Sequence, residues 1–425
     1  MTTTIYRHTD GGAPRLSSLP GSLIQVLDFA LLGSGWTKPY SKFVSGVEVG
    51  AVYQQGGGNG YYLKVDDEFR LLAPPNPPSD NSYGNAAIVT GYKSMSSYDV
   101  GTQPFPNVKG YVSGITLTDS PGDVANCLPI YFRKASGAVL GSFLDSGSFA
   151  TTVMIGSDLL VSPTQIQGRL QNGAVVVNPC LPPGTIVLSF IDPVTVKVSN
   201  PATISASNTT TYTQNVGYTS WTVVATEKGF YFHHQWLTNR VMMYYFGDFV
   251  SHKAGDTNNC ILIGTRETGA NPSLINSEIQ FLESSTSTPM KSSASPGFSF
   301  FDYNPTALTS AKDTGIDGQN SISVGGTLFY GLKYPDPSTG MLFIEPVSLM
   351  DAGQGDGSHI YAERGTLPGL WTALTAFGSA PYVFNSGDTF DGTGELAGKT
   401  FEVFSVLRIS GTDDVLAVVE TSNTW

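Results

Sequence analysis

The stretch GDTFDGTGELAGKTF (residues 387–401), running on to a terminal VVETSNTW (418–425), decides the fold class. Short aromatic and β-branched runs of this kind alternate with glycine turns through the whole second half of the chain. Such residues suit a pleated, half-buried surface, and glycine supplies the turns between strands. Working outward, Trp221 to Ala225, Gly229 to Trp236, Val241 to Phe249 and Asn259 to Gly264 read as a strand meander, with Lys228-Gly229 and Asn239-Arg240 at turns. Leu274 to Leu282 reads as a second helix, ESSTSTPMKSSAS (283–295) as a polar loop, and further strands follow to the end of the chain.

The first half has one strong helical signal. Leu23, Ile24, Val26, Leu27, Ala30 and Leu31 fall mostly at i, i+3, i+4 spacing, which predicts a helix near 22–32. Ser22 is placed to cap it and Gly33-Ser34-Gly35 to stop it. Ala51 to Tyr53 and Tyr61 to Val65 read as strands around the loop QQGGGNG (54–60), and Ala86 to Tyr92 as another. PPNPP (74–78) breaks both regular structures and reads as a surface loop. From about Gly110 to Thr213 aromatics thin out and Val, Ile, Ser and Thr dominate. Within it, LPPGTIVLSFIDPVTVKVSN (181–200) reads as two strands around a turn at Asp192-Pro193. The expectation is all-β: a β-sandwich-like body with one N-terminal helix and an inserted β-rich module. Its parts would be 1–109 (body, with the helix), 110–213 (module) and 214–425 (aromatic-rich body).

Only 13% of the 425 residues are charged, against about 25% in average soluble domains. Serine, threonine, asparagine and glycine must therefore build much of the surface. A formal charge of −12 with no Lys/Arg cluster argues against a nucleic-acid partner. No run of about 18 apolar residues predicts a membrane span. The N-terminal residues lack the apolar core of a signal peptide. Three scattered cysteines, Cys127, Cys180 and Cys260, make neither a disulfide framework nor a zinc pattern, although Cys127 and Cys180 share one segment and could pair. Folding in a reducing cytoplasm is the simplest expectation.

Few residues offer chemistry. His233-His234 with His252 is the only histidine cluster, but neighbours on a strand face opposite ways, so structural roles are expected. His359 ends a glycine-rich loop that lacks the patterns of a calcium or phosphate loop. Asp388, Asp391 and Glu395 are the best cation candidates: three carboxylates within eight residues could converge on calcium, or form a solvated acidic turn. Glycan cleavage needs two converging carboxylates, and Asp66, Asp67, Glu68, Asp248, Asp256 and Glu363 are available without any sign of convergence. No Gly-x-Ser-x-Gly elbow supports Ser-His-Asp catalysis, and with no other catalytic motif in the sequence no enzyme is expected. Trp36, Trp221, Trp236 and Trp371 suit the core better than a sugar-stacking platform.

Several phrases resemble the structural proteins of tailed-bacteriophage virions: TIYRHTDGGAP (4–14), SGWTKPYSK (34–42), AVYQQGGGNGYYLKVDD (51–67) and VTGYKSMSSYDVGTQPFP (89–106). YYFGDFVSHKAGDTNNCILIG (244–264), DGTGELAGKTF (391–401) and VVETSNTW (418–425) continue the resemblance, which covers about three quarters of the chain and skips residues near 110–213. It implies a virion component made in the host cytoplasm and released by lysis, without catalytic residues to carry over. A tail or baseplate subunit, or one anchoring a fibre, is the expected role. A capsid decoration protein or head fibre, a receptor-binding adhesin contacting host surface glycan and, third, a depolymerase tailspike are the alternatives, the last disfavoured because the chain shows no long regular β-helical stretch. The partners implied are other virion proteins and further copies of the chain, in a trimer or ring.

Overall fold

A computed structural model describes residues 3–17, 19–44, 46–67, 86–102, 130–133, 140–164, 166, 169–192, 194–237, 240–252, 254, 259–267, 275–281, 319–323, 344–352, 360–373, 386–409, 413–422 and 425. The chain is all-β with a single α-helix among these residues. The surface loop expected at 74–78, the loop at 283–295, Cys127 and His359 lie outside the described residues.

The helix, Ser22–Leu31, buries every apolar residue that its spacing singled out. Its start corrects the expected cap. Ser22 is already inside the helix and turns its hydroxyl back to donate to the Ser17 carbonyl at 2.8 Å. The Leu23 N–H at the open N-terminus is taken instead by Asp67 Oδ2 at 3.2 Å, from 44 residues further on. Serine lost the role because its hydroxyl had a nearer carbonyl, while a buried carboxylate suits the positive end of a helix. The stop falls as expected: Gly35 adopts φ +89° and lets the Trp36 N–H reach back to the Leu31 carbonyl at 3.1 Å.

Two antiparallel sheets and this helix share one core. One sheet is a five-stranded meander of Thr37–Val44, Val47–Gln54, Tyr62–Asp66, Ala86–Tyr92 and Ile130–Arg133. The other orders Thr4–Arg7, Trp221–Ala225, Gly229–Leu237, Arg240–Asp248, Cys260–Glu267 and Ile275–Phe281, so a strand from the N-terminus flanks the aromatic meander. The core takes Leu27 and Leu31 from the helix, Tyr53 and Val65 from the first sheet, and Trp221, Phe232 and Phe246 from the second. Trp36 meets Phe230 edge-on at 5.6 Å, and its indole N–H donates to the Thr226 carbonyl at 2.7 Å. Each such ring pair adds about 0.5–1.5 kcal/mol beyond its burial.

The expected second helix is a strand. Ile275–Phe281 pairs residue for residue with Cys260–Glu267, from Glu267↔Ile275 to Ile261↔Phe281. In INSEIQF, Ile275 and Ile279 satisfy a helical period, while Ile275, Ile279 and Phe281 all fall on one parity of a strand. In so short a run the backbone groups of the neighbouring strand decide.

Between the body strands, residues 141–219 build their own sheet. Its long partners are Gly141–Val153 and Ala206–Thr219, joined over thirteen residue pairs from Gly141↔Tyr218 to Val153↔Ala206. Val175–Val177, Leu159–Val161, Thr195–Val198 and Val187–Asp192 complete the order. The two outermost strands then meet: Val175 bridges Ile186, Val176 N–H donates to Thr185 O at 2.9 Å and Val187 N–H to Ala174 O at 2.9 Å. That closes the sheet into a small barrel around Val153, Leu160, Val176, Val187, Val196 and Val198. The expected Asp192 turn is present, with Asp192 Oδ1 accepting the Val194 N–H at 2.8 Å. Cys180 is a buried free thiol that accepts a hydrogen bond from Asn208 Nδ2 at 3.3 Å.

A further sheet orders Gln319–Ser323, Ile344–Ala352, Ile360–Ala373, Asp413–Glu420, Thr400–Ile409 and Thr389–Asp391. Val250–Ser251 pairs onto its Ile360–Ala373 strand, and the Arg7 guanidinium pairs with Glu402, tying it to the body.

Candidate functional site

A cleft of about 420 Å³ opens where the aromatic meander meets the C-terminal sheet. The meander supplies Lys228, Tyr245, Asp248, Phe249 and Asn259, and the C-terminal region supplies Pro368 and Trp425. Tyr231 stands behind it, 4.6 Å from the Tyr245 ring and 5.4 Å from that of Trp425. Its hydroxyl donates to the Pro368 carbonyl at 2.8 Å, and the Tyr245 hydroxyl donates to the Asp248 carbonyl. Gly369, at φ +66°, faces the Trp425 ring so closely that a side chain there would overlap it.

The glycine loop predicted at 54–60 closes the other side of Asp248. Gln55 Nε2 donates to Asp248 Oδ1 at 3.0 Å, Asn59 N–H to Oδ2 at 3.0 Å, and Asn59 Nδ2 to Asn259 Oδ1 at 3.0 Å. Gln55 also donates to the Lys228 carbonyl. Only Gly58 and Gly60 in this loop have positive φ, at +65° and +69°. Gly56 and Gly57 are needed for approach instead: a Cβ there would collide with Gly35 O and Glu227 Oε1, and one at Gly58 with Asp248 Oδ2. Burial raises the Asp248 pKa above the ordinary carboxylate value, against the pull of the Gln55 and Asn59 hydrogen bonds.

The Asp248 carboxylate, the Tyr245 hydroxyl and the Asn259 side-chain amide in this cleft are engaged in hydrogen bonds within the chain. Asp248 is the one carboxylate among the described lining residues, whereas glycoside hydrolysis takes two. Trp425, Lys228, Ser251 and Asn259 could meet a small polar ligand at the rim. Of these residues only Asp248 stood out in the sequence, and as a loose acid. Trp425 was read as part of a terminal phrase, because nothing local shows which aromatic ends beside a cleft.

The other candidates fall elsewhere. Asp391 and Glu395 are exposed and Asp388 half-buried; the Thr400 hydroxyl donates to Asp391 Oδ1 at 3.1 Å. Among the described residues, no group of three or more His, Cys, Asp or Glu side chains is placed to hold a metal ion. Asp67 serves the helix, and Asp66 lies 3.8 Å from Lys42 Nζ. His234 is buried between Phe232 and Tyr244, while His233 on the opposite face meets Phe404 at 5.1 Å. Trp36 and Trp221 are core residues, and Trp371 packs half-buried against Phe401. No helix among the described residues is long and apolar enough to cross a membrane.

No protein-family model matches the chain, and no curated protein matches it. Among solved structures it is similar to the phage phi92 endosialidase, at 9% identity and a TM-score of 0.20, covering 100% of this chain and 69% of that one. A likeness that faint carries no argument. The structure itself defines an all-β protein whose two-sheet body, backed by a helix, carries a small closed barrel.

Proposed function

We propose that this chain is a structural component of a tailed-phage virion, working in the tail or baseplate, or anchoring a fibre, through non-covalent subunit contacts. The phrase-level resemblance over three quarters of the sequence supports the particle, and the barrel supports assembly. Ten of the fifteen large apolar side chains exposed among the described residues lie between Leu140 and Ile204. Residues 141–219 hold five charged side chains, Asp145, Asp158, Arg169, Asp192 and Lys197, so this segment bears a formal −1 of the chain's −12. Apolar side chains in a nearly uncharged setting favour burial against a neighbour, with little desolvation cost for ions.

Immuno-electron microscopy of purified virions, with antibody against residues 110–213, tests the placement. Label at the tail tip is the expected result. Label spread over the head would move the protein to capsid decoration or a head fibre. Absence of the chain from virions by mass spectrometry would reject the proposal.

The cleft favours a second reading, an adhesin that contacts host surface glycan, since Trp425 presents a half-buried ring beside Lys228, Ser251 and Asn259. On that reading Trp425→Ala lowers adsorption while particle yield is kept.

A further inference from the structure

Among the described residues, none packs on the outer face of the Gly141–Val153 and Ala206–Thr219 ribbon, whose outward positions are exposed. Inward positions of the first strand carry Phe143 and Phe149, facing Tyr218 and Tyr212 at 6.5 and 6.1 Å. Outward positions alternate with them and are exposed. They carry no charge: Leu144, Ser146 and Ser148 on one strand, Thr211 opposite Ser148, and Val175 and Val177 on the flanking strand, Val177 opposite Thr211. Leu144 is 68% exposed and Val177 61%.

We propose that this face seats the same face of a second copy of the chain, an inference that rests on the assembly reading and names its partner. Three observations point to self-association. The chain as a whole carries −12, and this uncharged face is a place where two copies meet without bringing like charges into contact. The thirteen-pair ladder runs about 44 Å at ~3.4 Å per residue and is two to three strands wide at ~4.8 Å each. That gives a face on the order of 500 Å², or about 1,000 Å² over two copies, at the lower limit of a specific interface. Leu144, Val175 and Val177 supply apolar anchors within a rim of hydroxyl groups that hydrogen-bond to either a copy or water. Faces of this kind stack about 10 Å apart with side chains interdigitated, and a two-fold contact places the same patch on both sides.

Sedimentation velocity on the full chain tests this across concentrations, comparing wild type with Ser146→Glu/Thr211→Glu, Leu144→Ser and the control Ser41→Glu on another sheet. Circular dichroism and thermal melts establish that each variant is folded. Wild type is expected as a dimer or larger at micromolar concentration. The double variant should weaken its self-dissociation constant by at least about tenfold through like-charge repulsion, Leu144→Ser should weaken it in the same direction, and Ser41→Glu should leave it unchanged. A wild-type monomer up to about 100 μM, or folded variants that associate like wild type, would overturn the proposal. A monomeric wild type whose double variant is lost from particles would assign the face to a different virion protein, which also overturns it. Absence of the wild-type chain from particles would reject the virion reading and leave the measured self-association standing or falling separately.

Discussion

His234 sits in the middle of the aromatic meander, 1% exposed, its ring stacked on Tyr244 at 6.2 Å and near Phe232 at 5.3 Å. Desolvation, helped by the neighbouring His233, pulls its pKa down to about 3. In the unfolded chain a histidine takes up its proton near pH 6.5. The contribution to stability is therefore fully present above about pH 6.5 and is lost as pH falls from there toward 3, at roughly 1.4 kcal/mol per unit. Between pH 7 and 4.5, wild type should lose about 2–3 kcal/mol that a His234→Phe variant retains, as read from paired urea titrations. Parallel pH profiles for the two proteins would refute the assignment. The doublet His233-His234 was legible as a strand pair with divided faces. Which of the two would be buried was not, because each side of that strand is apolar and the answer depends on the sheet that covers it.

At the scale of elements, the helix shows where local signals suffice and where they stop. Its apolar face and its glycine end follow from spacing and backbone freedom alone, and both agree with the structure. Its N-terminal partner does not, since Asp67 lies in a segment that reads only as the end of a strand. Asp67→Ala is expected to destabilise the protein by about 1–2 kcal/mol in chemical denaturation, the range of a lost helix cap, whereas Ser22→Ala should cost less than half as much. Equal losses would return the cap to Ser22. The strand at Ile275–Phe281 is the converse case: its sequence supports two periods, and only the open edge of Cys260–Glu267 selects one. In the loop at 54–60 the glycines marked a turn, yet two of the four serve close approach to Gly35 and Glu227 rather than φ. Approach by distant residues leaves no local trace.

At the scale of the whole molecule, the chain runs out along Gly141–Val153 and returns along Ala206–Thr219, its neighbour in the ladder. Entry and exit therefore stand side by side, and the barrel between them has its own apolar core. A fragment of residues 140–220 is expected to fold alone, with a cooperative thermal transition and dispersed amide resonances. A fragment without a transition would mean that the barrel depends on body contacts such as Leu16–Ser17 against Ala206–Thr219, or Arg169 against the Val44 carbonyl.

What the sequence determined by itself was the class of the protein: strands, turns, the N-terminal helix and a low-charge surface. Alternation, helical spacing and glycine positions are properties of neighbouring residues and need no third dimension. Only the tertiary structure decided the pairing of Thr4–Arg7 with Trp221–Ala225, the closure of the barrel at Val175 and Ile186, and the cleft that joins Asp248 to Trp425. Those are contacts between residues far apart along the chain. They are selected by which backbone edges and apolar faces remain to be covered once the local elements have formed.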